Sequence, residues 1–377
     1  MTSGSRRNSS RITVTEYTGR ELRAPPRLTG RAARPALDRP LRCCEACRIV
    51  RRALLTLTLP LIAALIFPAC TKDASPLDAG VQDLSRPDLV AAIVGDLPLD
   101  ASPDATIPLD RAVTPDGSGE GPLRVATFNC HCLLDAPSTR AKGIALQIVK
   151  LDPDVVGLQE VCQTASSPAD NFAQAIVVEL KALSGKDWQT TFTKTHLSWT
   201  TYDEGVGLLA PKGTIVSSGE VSLPQGQGPF PRKVVWARLA TSRGGIYVYN
   251  THLTISSDPD DRLSQVTAIL ALVNQHLGAN LPQVVVGDFN DWYGSSAVSQ
   301  MKSGPPAFTE AWGTKHPGST DPGLTCCYPT FQYRIDYVFV RSAALSSLDQ
   351  VELAFDQPYS AVQLSDHRGL FVEFSAK

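Results

Sequence analysis

The chain has 377 residues, of which 43% are hydrophobic and 19% are charged, and its formal net charge is -2. This composition is typical of a globular protein, and it excludes a strongly basic protein held on nucleic acid mainly by bulk charge. The charge is unevenly spread, because residues 1–52 contain 13 Arg and 4 acidic residues, whereas residues 71–122 contain 3 basic and 10 acidic ones. Residues 123–377, with 19 basic and 23 acidic residues, are the part that has the pattern of a folded domain.

The front of the chain has the features of an export signal. Residues 1–47 have no apolar period, so we expect them to be disordered and the true start to lie near Ile49. Residues 48–70 combine arginines, the uncharged 15-residue run Ala53–Phe67 and small residues before Cys70, as a secretory signal peptide does. A signal anchor or a buried apolar helix is the alternative. Because Phe67-Pro-Ala-Cys70 resembles a bacterial lipobox, lipidation of Cys70 is expected.

Residues 71–122 are acidic and rich in proline, which predicts an extended, self-repelling linker. The sequence therefore predicts an exported protein of the bacterial cell envelope, either secreted or held to a membrane by an N-terminal lipid anchor. Thr71 follows Cys70, and this favours the outer membrane weakly over the inner one.

From Leu123 onward, short apolar runs alternate with helical patterns. In chain order the pattern predicts a strand at 123–128, a helix at 140–151, a strand at 155–158, a helix at 172–183, strands at 190–195 and 206–209, a hairpin of strands at 234–239 and 246–250, a helix at 262–277, and strands at 283–286, 335–340 and 370–374. Many strands in hairpins with few helices predict an α/β fold in which two sheets form a sandwich and the helices pack outside.

Polar residues of a few chemical types follow or open nearly every buried strand. Strand ends meet at one rim of a sandwich, so we expect these side chains to surround one cleft. They are Asn129, Glu160, His252, Asp288, Asn290, Asp336, Asp366 and His367.

The chemistry of this set indicates metal-assisted hydrolysis of a phosphate ester. Glu160 and Asp366 are hard oxygen ligands that suit Mg²⁺, or Mn²⁺, better than zinc. The spacing of Asp288 and Asn290 places both side chains on one face of an extended segment. The histidines are suited to proton transfer or to donating to phosphate oxygens.

These residues in this order resemble the endonuclease/exonuclease/phosphatase superfamily of deoxyribonuclease-I-like hydrolases over residues 123–375. The matching segments are Ala126-Thr-Phe-Asn129, Asp154-Val-Val-Gly-Leu-Gln-Glu160, Tyr249-Asn-Thr-His252-Leu, Gly287-Asp-Phe-Asn290, Arg334-Ile-Asp-Tyr337 and Ser365-Asp-His367. The resemblance implies a four-layer α/β sandwich of two mainly antiparallel sheets with outer helices, and a Mg²⁺-dependent phosphoesterase.

The resemblance also implies a metal site. Glu160 and Asp366 would bind the metal, and Asn129 would lie beside it. Mg²⁺ is the expected ion and Mn²⁺ the alternative.

It further implies a set of catalytic residues. Asp288 would position or deprotonate the attacking water, and Asn290 would help to stabilise the transition state. His252 and His367 would contact the scissile phosphate and share the acid–base work, with Asp336 paired to His367.

Four residues near the motifs have weaker matches. Glu204, or Asp203 beside it, would be the acid partner of His252. Arg262 and Gln265, on the helix that follows His252, resemble a recurrent family pair but are expected to be packing residues.

Five cysteines lie close to the motifs, at positions 130, 132, 162, 326 and 327. In an exported domain they predict at most two disulfides and one leftover thiol. We expect Cys130 to pair with Cys162, since the strands that end at Asn129 and Glu160 are expected to be neighbours. A redox-gated or zinc site at Cys130-His131-Cys132 is the alternative.

The expected function is an exported phosphodiesterase acting as a monomer on nucleic acid or on a phospholipid. No Lys/Arg run marks a DNA groove, and Trp292-Tyr293 would suit either a lipid surface, as in bacterial sphingomyelinases, or stacking on a base. A hypothesis of another class is a non-catalytic surface binding module that keeps the fold without turnover.

Overall fold

The computed structural model describes residues 121–131, 135–165 and 170–377. The predicted disordered segment 1–47, the signal peptide with Cys70, and all but the last two residues of the linker 71–122 lie outside the described residues. In the described part of the chain, no helix is long and apolar enough to cross a membrane.

The described residues form twelve strands, which follow the apolar runs of the sequence. They are β1 (Leu123–Asn129), β2 (Val155–Thr164), β3 (Trp188–Ser198), β4 (Tyr202–Pro211), β5 (Ile215–Ser222), β6 (Lys233–Thr241), β7 (Gly244–His252), β8 (Gln283–Asp288), β9 (Phe308–Glu310), β10 (Asp336–Arg341), β11 (Leu345–Ala354) and β12 (Gly369–Ala376). The helices are α1 (Pro137–Leu151), α2 (Phe172–Ser184), α3 (Pro259–Gln275), α4 (Ser296–Ser303) and α5 (Ala311–Lys315), with a 3-10 turn at Leu277–Ala279.

The strands form two six-stranded sheets, in the orders β11-β12-β1-β2-β4-β3 and β5-β6-β7-β8-β10-β9. Each sheet is antiparallel except for one central parallel pair, β1–β2 in the first sheet and β7–β8 in the second. A parallel pair needs a crossover connection, and α1 and α3 supply it. In each pair the two strands therefore end at the same edge of their sheet.

Local sequence explains where α3, which follows His252, begins. Asp258 caps the helix by accepting a hydrogen bond from the peptide N–H of Asp260 at 3.0 Å, and Pro259 occupies the first turn, where no N–H partner is needed. The helix buries Val266, Ile269 and other apolar residues against the second sheet. This packing fixes the segment that leads from β7 to β8.

Three apolar layers hold the fold together. One lies between the sheets, a second between the first sheet and helices α1 and α2, and a third between the second sheet and helices α3 and α4. The order helix, sheet, sheet, helix confirms the predicted four-layer α/β sandwich.

The sequence missed β5, β9 and β11, which all lie at sheet edges. An edge strand packs on one face only and needs no continuous apolar run; in β5, partly buried residues alternate with exposed ones. The short helices α4 and α5 were also missed, because eight and five residues are too few for a clear helical period.

Candidate active site

Strand register brings three of the predicted residues together. Asp288, the last residue of β8, is paired with His252 of β7 on one side and with Asp336 of β10 on the other. All three are almost completely buried. The carboxylate oxygen Oδ2 of Asp288 lies 3.7 Å from Nε2 of His252. The sheet therefore places two carboxylates and an imidazole next to each other.

The backbone on both sides of Asp288 is shaped to present this side chain. Gly287 has a φ of 142°, and a Cβ at this position would lie 2.0 Å from the carbonyl oxygen of Thr251, so only glycine fits. Oδ1 of Asp288 accepts a hydrogen bond from the peptide N–H of Asn290 at 2.8 Å. This bond leaves Oδ2 directed into the site.

Asn290 holds His252 in place. Its amide nitrogen is 2.9 Å from Nε2 of His252 and donates to the carbonyl oxygen of Leu253, also at 2.9 Å. Because the amide donates to Nε2, the imidazole proton lies on Nδ1. In this structure the Asn290 amide therefore orients His252, and its expected role in stabilising the transition state stays a prediction.

Asn129, at the end of β1, connects the two sheets. Its side-chain nitrogen Nδ2 donates to Glu160 Oε1 at 2.9 Å and to Asp288 Oδ2 at 3.0 Å. Its side-chain oxygen Oδ1 accepts from the peptide N–H of His131. Glu160 has a left-handed φ of 50° and lies where β2 bulges against β4, between Leu158 and Val161. Such a bulge redirects a side chain, here into the cleft.

His367 enters from the segment that precedes β12. Its Nδ1 lies 2.9 Å from Asp336 Oδ2, and its Nε2 lies 3.8 Å from Asp288 Oδ2. The Ser365 hydroxyl supports this segment by donating to the carbonyl oxygen of Asn129 at 2.7 Å and accepting from the peptide N–H of His367 at 3.1 Å. The structure thus confirms the predicted pairing of Asp336 with His367.

The two histidines that flank Asp288 have opposite charge states. Burial lowers the pKa of His252 well below its usual value, and the positive charges of Arg232 and His367 lower it further. Burial acts in the same direction on His367, but the carboxylates of Asp336 and Asp288 outweigh it and raise its pKa well above the usual value. At neutral pH one imidazole is neutral and the other is cationic.

The carboxyl group of Asp288 has a pKa close to neutral pH. Burial, reinforced by the negative charge of Asp336, raises its pKa to about 7, while His367 pulls it downward. A group with this pKa accepts and releases a proton readily at physiological pH.

The residues present fit a divalent metal ion. Among the described residues, ligand atoms of Asp288, Asp336 and His367 all lie within 4.8 Å of one another, and the buried Oδ1 of Asp336 has no hydrogen-bond partner. Glu160 and Asp366, the predicted ligands, are partly exposed and are not members of this group. A donor set rich in carboxylate oxygen suits a hard cation. The assignment of Asn129, Glu160 and Asp366 as its ligands stays a prediction.

A second buried polar group lies beside the site, and the sequence did not predict it. The hydroxyl of Ser198 donates to Glu204 Oε2 at 2.5 Å and lies 3.1 Å from Nε2 of His196. The prediction that Glu204 or Asp203 partners His252 is therefore wrong, because Glu204 is engaged here and Asp203 pairs with Lys194 at 2.6 Å. β3 and β4 pair so that Glu204 lies opposite His196.

Arg232, just before β6, completes this neighbourhood. Its side chain is buried, and its Nε has no hydrogen-bond partner among the described residues. Burial lowers the pKa of its guanidinium group, and the charges of Glu204, Glu160 and Asp288 counteract this effect. No motif marks Arg232 in the sequence. The signal that could have identified it is its position just before β6, since the amino end of this antiparallel neighbour of β7 lies beside the carboxyl end of β7.

The expected packing residues brace the loops of the site. Arg262 Nε donates to Asp291 Oδ2 at 2.9 Å, next to Asn290. Gln265 Oε1 accepts from the peptide N–H of Thr254 at 2.9 Å, two residues after His252. Both side chains are buried and position the loops that follow β7 and β8.

The predicted disulfide between Cys130 and Cys162 is wrong. Cys130 is a free, buried thiol whose pKa burial raises to about 12, whereas Cys162 is disulfide-bonded. Cys130 lies in the apolar layer under α1 and α2, so its thiol is not a ligand in a zinc site with His131. A second disulfide joins Cys326 and Cys327, next to His367.

The predicted disulfide does not form because Cys162 lies too far along its strand from Cys130. Asn129 pairs with Gln159, so Cys162 lies two residues beyond the position opposite Cys130. With about 3.3 Å per residue and about 4.8 Å between strands, the two Cα atoms would be roughly 8 Å apart, beyond the limit of about 7 Å for a disulfide.

Comparison with known proteins identifies the family and agrees with the fold. The sequence model of the Endonuclease/Exonuclease/phosphatase family matches residues 126–367, so the chain belongs to this family of phosphoric ester hydrolases. A search of the curated proteins found no match.

Solved structures show the same fold at low sequence identity. An endonuclease/exonuclease/phosphatase family protein from Leptotrichia buccalis is 18% identical with a TM-score of 0.55, covering 67% of this chain and 99% of its own. The human Nocturnin catalytic domain with bound sulfate is 21% identical with a TM-score of 0.54, covering 69% and 96%. D. rerio TDP2 in complex with a single-strand DNA product is 20% identical with a TM-score of 0.52, covering 67% and 99%.

Proposed function

We propose that the protein is an exported, Mg²⁺-dependent phosphodiesterase that hydrolyses nucleic acid by attack of water on phosphorus. One arrangement carries this proposal: Oδ2 of Asp288 lies 3.7 Å from Nε2 of His252, whose pKa is lowered, and 3.8 Å from Nε2 of His367, whose pKa is raised. A proton acceptor and a proton donor are thereby held at one point, as hydrolysis of a phosphodiester requires.

Each residue then has a chemical task. Asp288 accepts the proton of the attacking water, and cationic His367 donates a proton to the leaving oxygen. Asp336 keeps His367 protonated and oriented through the contact at Nδ1. His252, fixed by Asn290, faces the phosphate from the opposite side. A divalent cation held by Glu160 and Asp366 would stabilise negative charge on the phosphate oxygens when it is bound.

The environment of Arg232 favours an anionic substrate. Its guanidinium group is buried beside the site with Nε unsatisfied among the described residues, and leaving a buried charged donor unpaired is costly. A phosphate oxygen is the partner that arginine accepts best. We therefore propose that Arg232 binds a phosphate of the substrate.

Exposed aromatic side chains favour nucleic acid as the substrate class. Trp292 and Tyr293 lie two and three residues after Asn290, and the peptide N–H of Tyr328 donates to the carbonyl oxygen of Asp366; each of the three aromatic side chains is about half exposed. Aromatic surfaces beside a phosphate site suit stacking of unpaired bases. The solved TDP2 neighbour was crystallised with a single-strand DNA product, which agrees with this choice.

The same aromatic residues favour a second candidate, a phosphodiester of a phospholipid headgroup. Tryptophan and tyrosine partition to membrane interfaces, and a lipid anchor at Cys70 would hold the domain near one. In this reading the enzyme is sphingomyelinase-like.

A parallel assay tests both candidates. The full chain is incubated with single-stranded DNA, plasmid DNA, RNA and sphingomyelin vesicles, each with Mg²⁺ or EDTA. Asp288→Asn removes the proton acceptor, and Asp187→Asn, at an exposed carboxylate remote from the site, is the matched control.

We expect Mg²⁺-dependent cleavage of nucleic acid by the wild type and by Asp187→Asn only. Cleavage of sphingomyelin alone would support the second candidate. No cleavage of any substrate by folded, metal-loaded protein would contradict the phosphodiesterase proposal and favour a binding module.

Export and lipid anchoring are tested separately. In a bacterial host we expect the full chain in the membrane fraction after metabolic labelling with a tagged fatty acid, and no label in Cys70→Ser. Label that persists in Cys70→Ser, or a wild type without label, would contradict the lipid anchor.

A further inference from the structure

Exposed aromatic side chains lie on both sides of the active site. On the side of β3, β4 and β6, Trp199 is 56% exposed in the turn between β3 and β4, and Phe230 is 39% exposed just before β6. On the side of β10 and β12, Tyr328 is 51% exposed. Aromatic side chains grouped around a cleft indicate a surface that binds a ligand.

The order of the strands places the catalytic residues between these two groups. In the second sheet the order is β6-β7-β8-β10, where β7 and β8 end at His252 and Asp288. The first sheet is stacked in the same sense, because β3 and β4 contact β6, and β12 contacts β10. With ~4.8 Å between neighbouring strands, β6 and β10 are roughly 14 Å apart. At ~3.4 Å per nucleotide, this distance accommodates about four nucleotides.

The side next to β6 combines an arginine with an aromatic ring. Phe230 stacks on the imidazole of His196, with 4.3 Å between the ring centroids, and this contact fixes its partly exposed ring. Arg232, two residues later, is buried, and its Nε has no hydrogen-bond partner among the described residues. This side can therefore bind a phosphate through Arg232 and a base through Phe230.

The side next to β12 has the same combination, built from other parts of the chain. The guanidinium carbon of Arg368 lies 3.9 Å from the ring centroid of Phe331, and Tyr328 meets that ring edge to face at 6.0 Å. Within the described ranges, Nε of Arg368 also lacks a hydrogen-bond partner. Arg368 follows His367 directly in the chain, so a phosphate bound by Arg368 would lie next to the catalytic residues.

Backbone hydrogen bonds fix this second group of side chains. The peptide N–H of Tyr328 donates to the carbonyl oxygen of Asp366 at 2.8 Å, and that of Arg368 donates to the carbonyl oxygen of Thr325 at 2.7 Å. Cys326 forms a β-bridge with His367 between these two bonds. The loop that carries Tyr328 is thus joined directly to the segment that carries His367.

We propose that Arg368, Phe331 and Tyr328 form a nucleotide-binding subsite opposite the one at Arg232 and Phe230, so that a single strand of nucleic acid is bound on both sides of the scissile phosphate and is cleaved internally. Stacking on aromatic rings requires unpaired bases, which favours a single strand over a duplex. A strand offers a phosphate to each arginine, whereas a phospholipid headgroup offers a single phosphodiester. The inference rests on the proposed function, because it presupposes hydrolysis of nucleic acid.

Internal cleavage uses the hydrolytic step of the proposed function. The oxygen of the attacking water forms a bond to phosphorus, and the bond from phosphorus to the leaving oxygen breaks. Asp288 takes the proton of the water, and His367 gives a proton to the leaving oxygen. One water is consumed in each cut, and the products are two shorter strands.

A circular single-stranded DNA tests the proposal, because it has no end from which an exonuclease could start. The full chain is incubated with Mg²⁺ and the circle, and with the same DNA in linear form, and the products are resolved on denaturing gels. Arg368→Gln and Tyr328→Ala alter the new subsite, the second at a half-exposed position outside the core. Arg341→Gln is the matched control, since its Nε is also unpaired among the described residues but it lies at the opposite end of β10 from Asp336.

We expect the wild type to open the circle to a full-length linear strand and then to shorten it, at a rate similar to that for the linear DNA. Arg368→Gln and Tyr328→Ala should each raise KM for single-stranded DNA about 10-fold, because a charged hydrogen bond or a stacked base is lost, while kcat changes less than about 2-fold. Arg341→Gln should leave both constants unchanged.

Degradation of the linear DNA without opening of the circle would overturn the proposal and leave the proposed phosphodiesterase intact. Opening of the circle with an unchanged KM in both variants would overturn the subsite at Arg368. Cleavage of neither DNA by folded, metal-loaded protein would overturn the inference together with nucleic acid as the substrate. In that case, cleavage of sphingomyelin vesicles by the same preparation would show that a phosphodiesterase remains.

Discussion

The buried carboxylate at the far end of the sandwich and the two at the centre of the site have different kinds of partner. At the end remote from the site, Asp154 accepts hydrogen bonds from the peptide N–H of Arg124 and from Arg243 Nη1, both at 2.9 Å. Arg243 also binds Asp152 at 2.7 Å, and Arg124 pairs with Glu373. At the site end, among the described residues, the ion-pair contacts of Asp288 and Asp336 are with histidines.

The difference is visible in the acidities. Burial raises the pKa of Asp154 as well, but there the Arg124 peptide N–H and Arg243 oppose it. At the more exposed Asp152, hydrogen bonds from Arg243 and Lys186 outweigh burial and lower the pKa. Among the described residues, no arginine forms an ion pair with Asp288, and the second carboxylate adds to the effect of burial, so the pKa rises to about 7. The partner of a carboxylate, and not its residue type, therefore decides its role. An aspartate that arginine pairs with is structural, whereas one without such a partner keeps its affinity for protons and cations.

The largest expected effect comes from neutralising one buried carboxylate at each end. Asp288→Asn should lower kcat by about 10³-fold, because it removes the proton acceptor. Its Tm should stay equal or rise, since a strained buried carboxyl group is lost. Asp154→Asn is the matched variant at the other end and should lower Tm while kcat is kept. Hydrolysis assays and thermal melts check both variants. Equal losses of kcat in the two variants would contradict the distinction between a catalytic Asp288 and a structural Asp154.

Next in size is the effect of Arg232. Arg232→Gln should raise KM by about 10- to 100-fold, with a smaller change in kcat, because a charged hydrogen bond to the substrate phosphate is lost. Steady-state kinetics measure both constants. Arg238→Gln, on the same strand but only half-buried, is the control. An unchanged KM would show that Arg232 neutralises Glu204 and does not bind substrate.

At the far end, Arg243→Gln should reduce the free energy of unfolding by about 2 kcal/mol, because buried Asp154 loses its guanidinium partner. Urea denaturation measures this change, and activity at low temperature should be unaffected. Lys186→Gln removes only an exposed partner of Asp152 and should cost less than about 1 kcal/mol. Equal effects of the two variants would mean that burial does not amplify the ion pairs at this end.

A further expected effect is a dependence of stability on pH. The pKa of Asp288 is about 7 in the folded chain, against an ordinary value of 3.8, so between these values the folded state binds more protons than the unfolded state. The free energy of unfolding of the wild type, relative to Asp288→Asn, should therefore fall as pH rises from 4 to 7. Urea denaturation in EDTA at several pH values measures it. A relative stability that rises over this range would contradict the raised pKa.

Much of the site could be predicted because its residues occupy strand ends. Asn129, His252 and Asp288 end runs of apolar residues that belong to buried strands, and any sandwich collects such ends at one rim. The pairing of Asp336 with His367 came with the family motif. The central strands were predictable for the same reason, since burial on both faces requires continuous apolar sequence.

What the sequence missed depends on contacts between distant segments. Arg232 and His196 reach the site only because β6 and β3 run antiparallel to strands that carry motif residues. The ion pair of His131 with Asp366 was not predicted, since it depends on Arg140 linking two segments far apart in the chain. Local patterns carry no information about such links.

The most direct test of the charge difference between the two ends is the titration of Asp288 itself. In the full chain with ¹³Cγ-labelled aspartate, kept metal-free by EDTA, the resonance absent from Asp288→Asn identifies this carboxyl group. We predict that it titrates near pH 7, as burial beside Asp336 requires. A resonance that titrates near pH 4 would show that the site end compensates its carboxylates as fully as the far end does, and would contradict the proposed role of Asp288 as proton acceptor.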